Sequence, residues 1–152
     1  MTEITIAERA PQPTAGIRET VPMDRLPEFF GRAFHATMEA MRAQGVAPAG
    51  PPFGKYHGVP GATADVEAGV PVAGSFETAG DVVARELPGG MIASALHVGP
   101  YDTLGQTYDA IRRHIVDEGR MPGGIMWECY VSDPEQEPDP ATWRTEVCWL
   151  LV

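Results

Sequence analysis

The residues of this chain that could perform chemistry lie in a short segment, GGIMWECYVSDP at residues 123–134. Its tryptophan, tyrosine, valine and isoleucine favour a β-strand, which we expect near residues 125–131. Because side chains alternate between the two faces of a strand, Glu128 shares a face with Met126 and Tyr130. A carboxylate among apolar and aromatic neighbours is typical of a small-molecule pocket rather than of a solvent-exposed surface.

A second acidic strand, TEVCWLLV, is expected at residues 145–152. One of its faces carries Glu146 and Cys148, followed by two aliphatic residues. If the two strands pair as antiparallel neighbours, we expect this face to lie beside the face of the first strand that carries Glu128, so that Glu128, Tyr130 and Glu146 line one cavity. The alternate faces are mostly apolar and are expected to pack on helices. They carry Ile125, Trp127, Cys129 and Val131 on the first strand and Thr145, Val147, Trp149 and Leu151 on the second.

Two carboxylates in one pocket permit two kinds of chemistry. A desolvated carboxylate is costly without a partner, which a lipophilic cation supplies, and tyrosine faces add cation–π attraction. Alternatively, repulsion between Glu128 and Glu146 raises the pKa of one carboxyl, so that it acts as a general acid in a hydrolase while the other orients water. A third interpretation is structural, with Glu128 only satisfying a buried hydroxyl or arginine. The residues alone leave these alternatives open.

The chain repeats itself at an offset of 74 residues. The segment GVAPAGPPFGKYHG at 45–58 aligns with GRMPGGIMWECYVS at 119–132, which places Gly54 over Glu128 and Tyr56 over Tyr130. The glycine leaves room where its counterpart supplies a carboxylate. The same offset aligns two apolar helix faces with identical spacing. They are Phe30, Phe34, Thr37 and Met41 in the first copy and Leu104, Tyr108, Ile111 and Ile115 in the second. We therefore predict two repeats, approximately 1–74 and 80–152, within a single domain that spans residues 1–152.

Two long helices and several strands must position these side chains. The helices are predicted over residues 25–44 and 102–118, each stopped by a glycine. The strands are predicted near 3–9 with a continuation near 16–20, and near 52–57, 64–72, 81–87, 90–98, 125–131 and 145–152. Each half then reads as strands, helix, strand, strand. The sequence predicts an α+β fold of two βαββ-type repeats related by a pseudo-twofold axis, with antiparallel sheets and a central ligand groove.

Composition excludes several classes of function. The 152 residues carry a net charge of −10 with Lys55 as the only lysine, so we expect no direct nucleic-acid binding. No secretory signal and no apolar run long enough to span a membrane are present, and two cysteines do not form a disulfide framework. We therefore expect a cytoplasmic protein that does not bind membranes. No P-loop or metal-ligand spacing is present, so we expect neither a metal nor another cofactor.

The quoted strands, together with HVGPYDTLGQTY and PPFGKYHG, resemble the GyrI-like small-molecule-binding family, which includes the effector-binding domains of BmrR-type multidrug regulators. The resemblance covers residues 4–152 and implies the same two-repeat fold. It implies that Glu128 lies at the base of an aromatic-lined pocket with Tyr130 beside it, and that Glu146 is the family's second acidic position. An aromatic residue is common two positions later, where this chain has Cys148. Tyr101 corresponds to the pocket edge, and Tyr56 and Met126 complete the predicted ligand-binding set.

The resemblance also implies a function. The principal expectation is capture of hydrophobic, cationic or planar aromatic xenobiotics in the central groove, for sequestration or sensing. One alternative is a hydrolase that opens the cyclopropane ring of DNA-alkylating natural products, with Glu128 and Glu146 as its catalytic residues. Another is a protein-binding inhibitor of a topoisomerase, whose protein partner the sequence does not identify. Regulators of the family carry a separate DNA-binding helix-turn-helix, for which this chain has no room.

Overall fold

The computed structural model describes residues 3–133 and 136–152. The two predicted helices and all the predicted strands are present, with shifts of a few residues at their ends. The strands are β1 (Ile4–Arg9), β2 (Gln12–Pro22), β3 (Phe53–His57), β4 (Thr63–Pro71), β5 (Val83–Leu87), β6 (Gly90–Val98), β7 (Pro122–Tyr130) and β8 (Arg144–Leu151). The helices are α1 (Leu26–Gln44) and α2 (Leu104–Asp117), each preceded by a single 3-10 turn.

Both helices form for the reason that their sequences indicate. Residues at intervals of about four bury one face of each helix against the sheet, namely Phe29, Ala33, Thr37 and Met41 in α1 and Leu104, Thr107, Ile111 and Ile115 in α2. Gly45 ends α1 in the left-handed conformation, with φ of 67°, and its N–H donates to the carbonyl of Arg42. No helix among the described residues is long and apolar enough to cross a membrane.

The strands form one antiparallel sheet in the order β1-β6-β8-β7-β3-β4-β2-β5. If the labels β1 to β4 are exchanged with β5 to β8, the result is the same order read from the opposite end of the sheet. This confirms the pseudo-twofold relation between the halves. The axis passes between the neighbouring strands β3 and β7. The first strand of each half pairs with the second strand of the other half, since β1 pairs with β6 and β5 with β2.

The strands β1 and β5, which are exchanged in that each pairs with a strand of the other half, each bear an arginine that forms an ion pair with a glutamate of that half. Arg9 on β1 lies 3.2 Å from the carboxylate of Glu146 on β8, and Arg85 on β5 lies 3.4 Å from that of Glu67 on β4. The two glutamates are at equivalent positions of the two halves. Glu67 precedes Ala68, the strand partner of Gly54, and Glu146 precedes Val147, the strand partner of Glu128. The two halves are therefore joined by hydrogen bonds and by ion pairs at both ends of the sheet.

Two very short links force the sheet to curl. Residues 10–11 join β1, at one end of the sheet, to β2, which is seventh in order, and residues 88–89 join β5 to β6 in the same way. Such links cannot span a flat eight-stranded sheet, in which neighbouring strands are about 4.8 Å apart. The two links touch, since a Cβ placed on Gly89 would lie 2.6 Å from the ring of Pro11. Both faces of the sheet consequently enclose apolar side chains.

The curled sheet builds a core on each of its faces. On the helix side, α1 and α2 cover clusters that include Val66, Ala68, Ala93 and Val147. On the other side, a third cluster contains no helix residue. It consists of Phe53, Leu87, Ile92, Trp127, Cys129 and Cys148, with Ile125 and Leu150 packed against it.

The prediction of which face packs on the helices is wrong for β7 and right for β8, but the two faces that carry Glu128 and Glu146 are not shared. In the register of these strands Glu128 pairs with Val147, and Cys129 pairs with Glu146, so Glu128 and Glu146 lie on opposite faces. Trp127 packs in the core away from the helices, whereas Glu128 faces them. Trp149 does face the helix layer, where its ring lies 6.1 Å from that of Tyr108. The error has a physical cause: both faces are buried, so the more apolar face does not have to be the one that helices cover.

Candidate functional site

A groove lies on the helix side of the sheet, between the first turns of α1 and α2 and above the central strands β3 and β7. Its volume is about 860 Å³, which falls within the range of small-molecule sites. The lining side chains are mostly apolar or aromatic. They are Leu26, Pro27, Phe30 and Phe34 from α1, Pro51, Pro52 and Tyr56 around β3, Tyr101 and Leu104 at the start of α2, and Glu128, Tyr130, Val131, Ser132 and Asp133 from β7 and the turn that follows.

Glu128 supplies the carboxylate of this groove and is held by two tyrosines. The hydroxyl of Tyr108 on α2 donates to Oε2 at 2.6 Å, and the hydroxyl of Tyr130 donates to Oε1 at 2.9 Å. The residue is 7% exposed, and its partner across the central strand pair is Gly54. Both carboxylate oxygens are thus fixed in place, and the glycine leaves the space above the opposite strand free of a side chain.

Burial dominates the electrostatics of Glu128. Loss of hydration raises the pKa of its carboxyl above the ordinary value of 4.5, while the hydrogen bonds from Tyr108 and Tyr130 and the nearby His97 act in the opposite direction. Among the described residues no lysine, arginine or histidine forms an ion pair with this carboxylate. The groove therefore contains a buried acidic group that accepts hydrogen bonds from two hydroxyls and, among the described residues, has no ion-pair partner.

Aromatic rings form a continuous wall beside the carboxylate. Phe30 and Phe34 stack at 5.7 Å between ring centroids, and both meet the ring of Tyr130 edge-on, at 6.0 and 6.3 Å. The ring of Tyr101 also packs against Tyr130, with 5.9 Å between centroids, and it contacts the ring of Trp143 at 4.8 Å. Burial raises the pKa of Tyr130 well above its ordinary value, so its hydroxyl stays protonated as a donor at neutral pH. Tyr130 thus contacts both walls of the groove and also Glu128.

His97 holds the turn that presents Tyr101. It is 7% exposed, its Nδ1 lies 2.7 Å from the hydroxyl of Thr107, and its Nε2 lies 3.0 Å from the carbonyl of Pro100. These contacts fasten the start of α2 to the end of β6. The histidine supports the edge of the groove, and it is not among the side chains that line it.

Four of the seven predicted ligand-binding residues line the groove, namely Tyr56, Tyr101, Glu128 and Tyr130. Met126 shares their face of the sheet but packs in the helix-side core. Glu146 and Cys148 lie on the other face, where Arg9 contacts both of them. The two-carboxylate site predicted from the sequence is therefore not formed, and the raised pKa of Glu128 results from burial rather than from Glu146. Residues 3–133 and 136–152 contain no cluster of three or more His, Cys, Asp or Glu side chains that could hold a metal ion.

Sequence reasoning missed the residues that α1 and α2 contribute. Phe30 and Phe34 form one wall of the groove, and Tyr108 donates the shorter of the two hydrogen bonds that Glu128 accepts. The signal was present, because these residues belong to the two helix faces that the repeat aligns. The first two positions of each face line or support the groove, and the last two are buried beneath the helices.

The raised pKa of Glu128 predicts how stability changes with pH. The unfolded chain titrates at this residue near 4.5 and the folded protein at a higher pH. Between these values the folded state binds more protons, so this group lowers the free energy of unfolding as pH rises. Glu128→Gln removes the titration. We expect the free energy of unfolding of the variant, relative to the wild type, to increase as pH is raised from 4.5 towards neutrality. Urea unfolding at a series of pH values measures it, and a difference independent of pH would contradict the raised pKa.

Comparison with known proteins places the chain in a defined structural group. The model of the family described as "GyrI-like small molecule binding domain" matches residues 2–152. No curated protein matches the chain.

Among solved structures, the C-terminal domain of EcmrR is 22% identical, with a TM-score of 0.83, over 100% of this chain and 98% of that one. In the EcmrR–DNA complex the TM-score is 0.86 at 21% identity over 99% of this chain, which spans 57% of the EcmrR chain there. A hydrolase encoded by lin2189 from Listeria innocua is 14% identical, with a TM-score of 0.71 over 99% and 92% of the two chains. SAV2435 bound to tetraphenylphosphonium is 13% identical, with a TM-score of 0.66 over 99% and 94%. These similarities show a common fold.

Proposed function

Because the chain belongs to the GyrI-like family of small-molecule-binding domains, we propose that it captures hydrophobic cations with aromatic groups, for sequestration or sensing. The observation that carries this proposal is the Glu128 carboxylate, which is buried in an aromatic groove with no ion-pair partner among the described residues. A cationic ligand supplies the missing charge. A neutral ligand would leave the carboxylate buried and uncompensated.

The walls of the groove favour the same class of ligand. Tyr56, Tyr101 and Tyr130 present aromatic rings to the cavity, and Phe30 and Phe34 extend the apolar surface. A cation within about 6 Å of a ring centroid gains cation–π attraction, which is stronger in a desolvated site than in water. The remaining apolar area removes the ligand's aromatic groups from water, which contributes affinity without demanding one ligand shape. Such a site would accept a range of lipophilic cations.

Tetraphenylphosphonium is a suitable probe, since it is a permanent cation surrounded by phenyl rings and is the ligand present in the SAV2435 structure. Triphenylphosphine oxide is a neutral control of similar chemistry. We expect the cation to bind at least about fivefold more tightly at neutral pH. Its affinity should rise with pH through the raised pKa of Glu128, because it prefers the ionised carboxyl, whereas the affinity of the neutral control should stay constant. Calorimetric titration measures both. Equal affinities, or no binding of the cation, would refute the proposal.

A hydrolase is a second candidate, and the raised pKa of Glu128 is the observation that favours it. A raised pKa keeps the carboxyl protonated to a higher pH, so it can donate a proton to a carbonyl conjugated with the ring while water attacks a cyclopropane carbon, the ring C–C bond breaks and the proton lost by the water returns to the carboxylate. The mechanism would use this acid without Glu146, which lies on the opposite face of the sheet. Substoichiometric protein should then consume a cyclopropane-containing alkylating agent, and Glu128→Gln should slow turnover about 10²–10⁴-fold while binding persists. Conversion limited to one equivalent would exclude this candidate.

A further inference from the structure

Gly54 lies beside the pseudo-twofold axis, directly opposite Glu128. The repeat equates residue 54 with residue 128, and the register of β3 and β7 pairs the same two residues directly. When two residues are both symmetry mates and strand partners, the axis passes between them. At this point one half of the protein carries a buried carboxylate and the other half carries no side chain.

The backbone does not require a glycine at residue 54. Gly54 lies in the middle of β3 and is not among the glycines with positive φ, so any residue could adopt its conformation. The requirement comes from two side chains of the groove. A Cβ at residue 54 would lie 2.8 Å from the hydroxyl oxygen of Tyr130 and 3.0 Å from Cε1 and Cζ of the Phe30 ring. Real Cβ atoms are essentially never found closer than 3.0 Å to another heavy atom.

We propose that Gly54 is a positioning residue, whose missing side chain seats the Tyr130 hydroxyl against Glu128 and thereby sets the selectivity of the groove. The hydroxyl that a Cβ would displace is the one that donates to Oε1 of Glu128 at 2.9 Å. The ring that it would displace belongs to the aromatic wall. Any side chain at residue 54 therefore displaces the hydroxyl that donates to the carboxylate, which weakens this hydrogen bond, and crowds the ring of Phe30. The part of this inference that concerns selectivity rests on the proposed function, whereas the hydrogen bond does not.

The first test needs no ligand. Carboxyl ¹³C NMR follows the titration of Glu128 in the wild type, in Gly54→Ala, in Tyr130→Phe and in the double variant. Because the Tyr130 hydrogen bond lowers the pKa of Glu128, we expect Gly54→Ala to raise the midpoint by about one pH unit, the scale of a hydrogen bond to a charged acceptor. Tyr130→Phe should do the same, and adding Gly54→Ala to it should raise the midpoint no further. Gly124→Ala is the control, since a Cβ there meets nothing within 4 Å.

Two outcomes overturn the inference. One is an unchanged midpoint in Gly54→Ala, and the other is a shift that adds in full to that of Tyr130→Phe, which would show that the glycine acts independently of this hydroxyl. If Gly54→Ala does not fold, Gly54→Ala with Phe30→Leu replaces it. That variant relieves the contact with the ring and keeps the one with the hydroxyl, so the same titration decides.

The second test concerns selectivity. Tetraphenylphosphonium should bind Gly54→Ala about 5- to 10-fold more weakly than the wild type at one pH unit below the wild-type midpoint found by NMR, and the loss should be smaller at two units above that midpoint, where the carboxyl is ionised in both proteins. An unchanged affinity at both values would refute the role in selectivity. If the wild type itself binds no tetraphenylphosphonium, the proposed function fails, while the NMR titration still determines whether Gly54 seats Tyr130.

Discussion

Replacing Glu128 with glutamine should weaken the binding of tetraphenylphosphonium by about 1–3 kcal/mol, a factor of about 5 to 150, which is the scale of one desolvated charge contact. Glutamine keeps the shape of the side chain and removes its charge. Triphenylphosphine oxide should lose much less affinity, because stacking on Tyr56, Tyr101 and Tyr130 remains. The free energy of unfolding at neutral pH should stay constant or rise, since an uncompensated buried carboxylate is itself a cost.

A matched control separates this local effect from the charge of the whole protein. Glu8 is exposed on the edge strand β1, and Glu8→Gln changes the net charge of −10 by the same single unit. Its affinity for the cation should equal that of the wild type, because exposed charges at a distance are screened by salt. Equal losses in the two variants would attribute the attraction to overall charge. Unchanged binding of both probes by Glu128→Gln would show that Glu128 serves only to accept its two hydrogen bonds.

Replacing Trp127, the residue immediately before Glu128, should have the opposite pattern of effects. Its side chain is 2% exposed within the core that lies away from the helices. Trp127→Ala should therefore lower the free energy of unfolding by about 3–5 kcal/mol, the usual cost of deleting a buried aromatic ring. Binding of tetraphenylphosphonium, measured well below the midpoint of thermal unfolding, should change by less than about a factor of two, because the sheet separates Trp127 from the groove.

Together these two variants test the register of β7. Adjacent residues of a strand project to opposite faces, so a slip of one residue would exchange the two results. Loss of binding in Trp127→Ala with native stability would show that the tryptophan faces the groove. If Trp127→Ala does not fold, Trp127→Phe gives the same comparison with a smaller loss of buried volume.

Local sequence patterns were sufficient to predict the elements and their symmetry. Apolar spacing located α1 and α2, and the offset that aligns Gly54 with Glu128 predicted the pairing of two related halves. Glu128 and Tyr130 were identified because a carboxylate in an otherwise apolar strand is unusual. Each of these inferences used residues close in sequence or repeated along it, and the resemblance to a known family supported the same residues.

The placement of Glu146 could not be predicted from the same patterns. Whether Glu128 pairs with residue 146 or with residue 147 depends on the length of the loop between β7 and β8, and both choices leave an apolar set on each face. Alternation identifies the faces of a strand but does not determine which faces two strands share. The partner of Glu146 is Arg9, which is 137 residues away in the chain and reaches it only because β1 is exchanged between the halves.

The exchange of β1 and β5 implies that one half cannot fold as a closed unit, because its sheet would lack the strand that its partner provides. Two identical copies of a half could associate and complete each other as a homodimer, with the twofold axis between their central strands. A homodimer would, however, place the same amino acid on both sides of that axis: two glutamates would repel each other, and two glycines would provide no charge. A polypeptide that contains both copies is free of this constraint and can place Glu128 against Gly54. The single carboxylate of the groove therefore depends on two halves of different sequence, which covalent fusion provides because each half can then mutate separately.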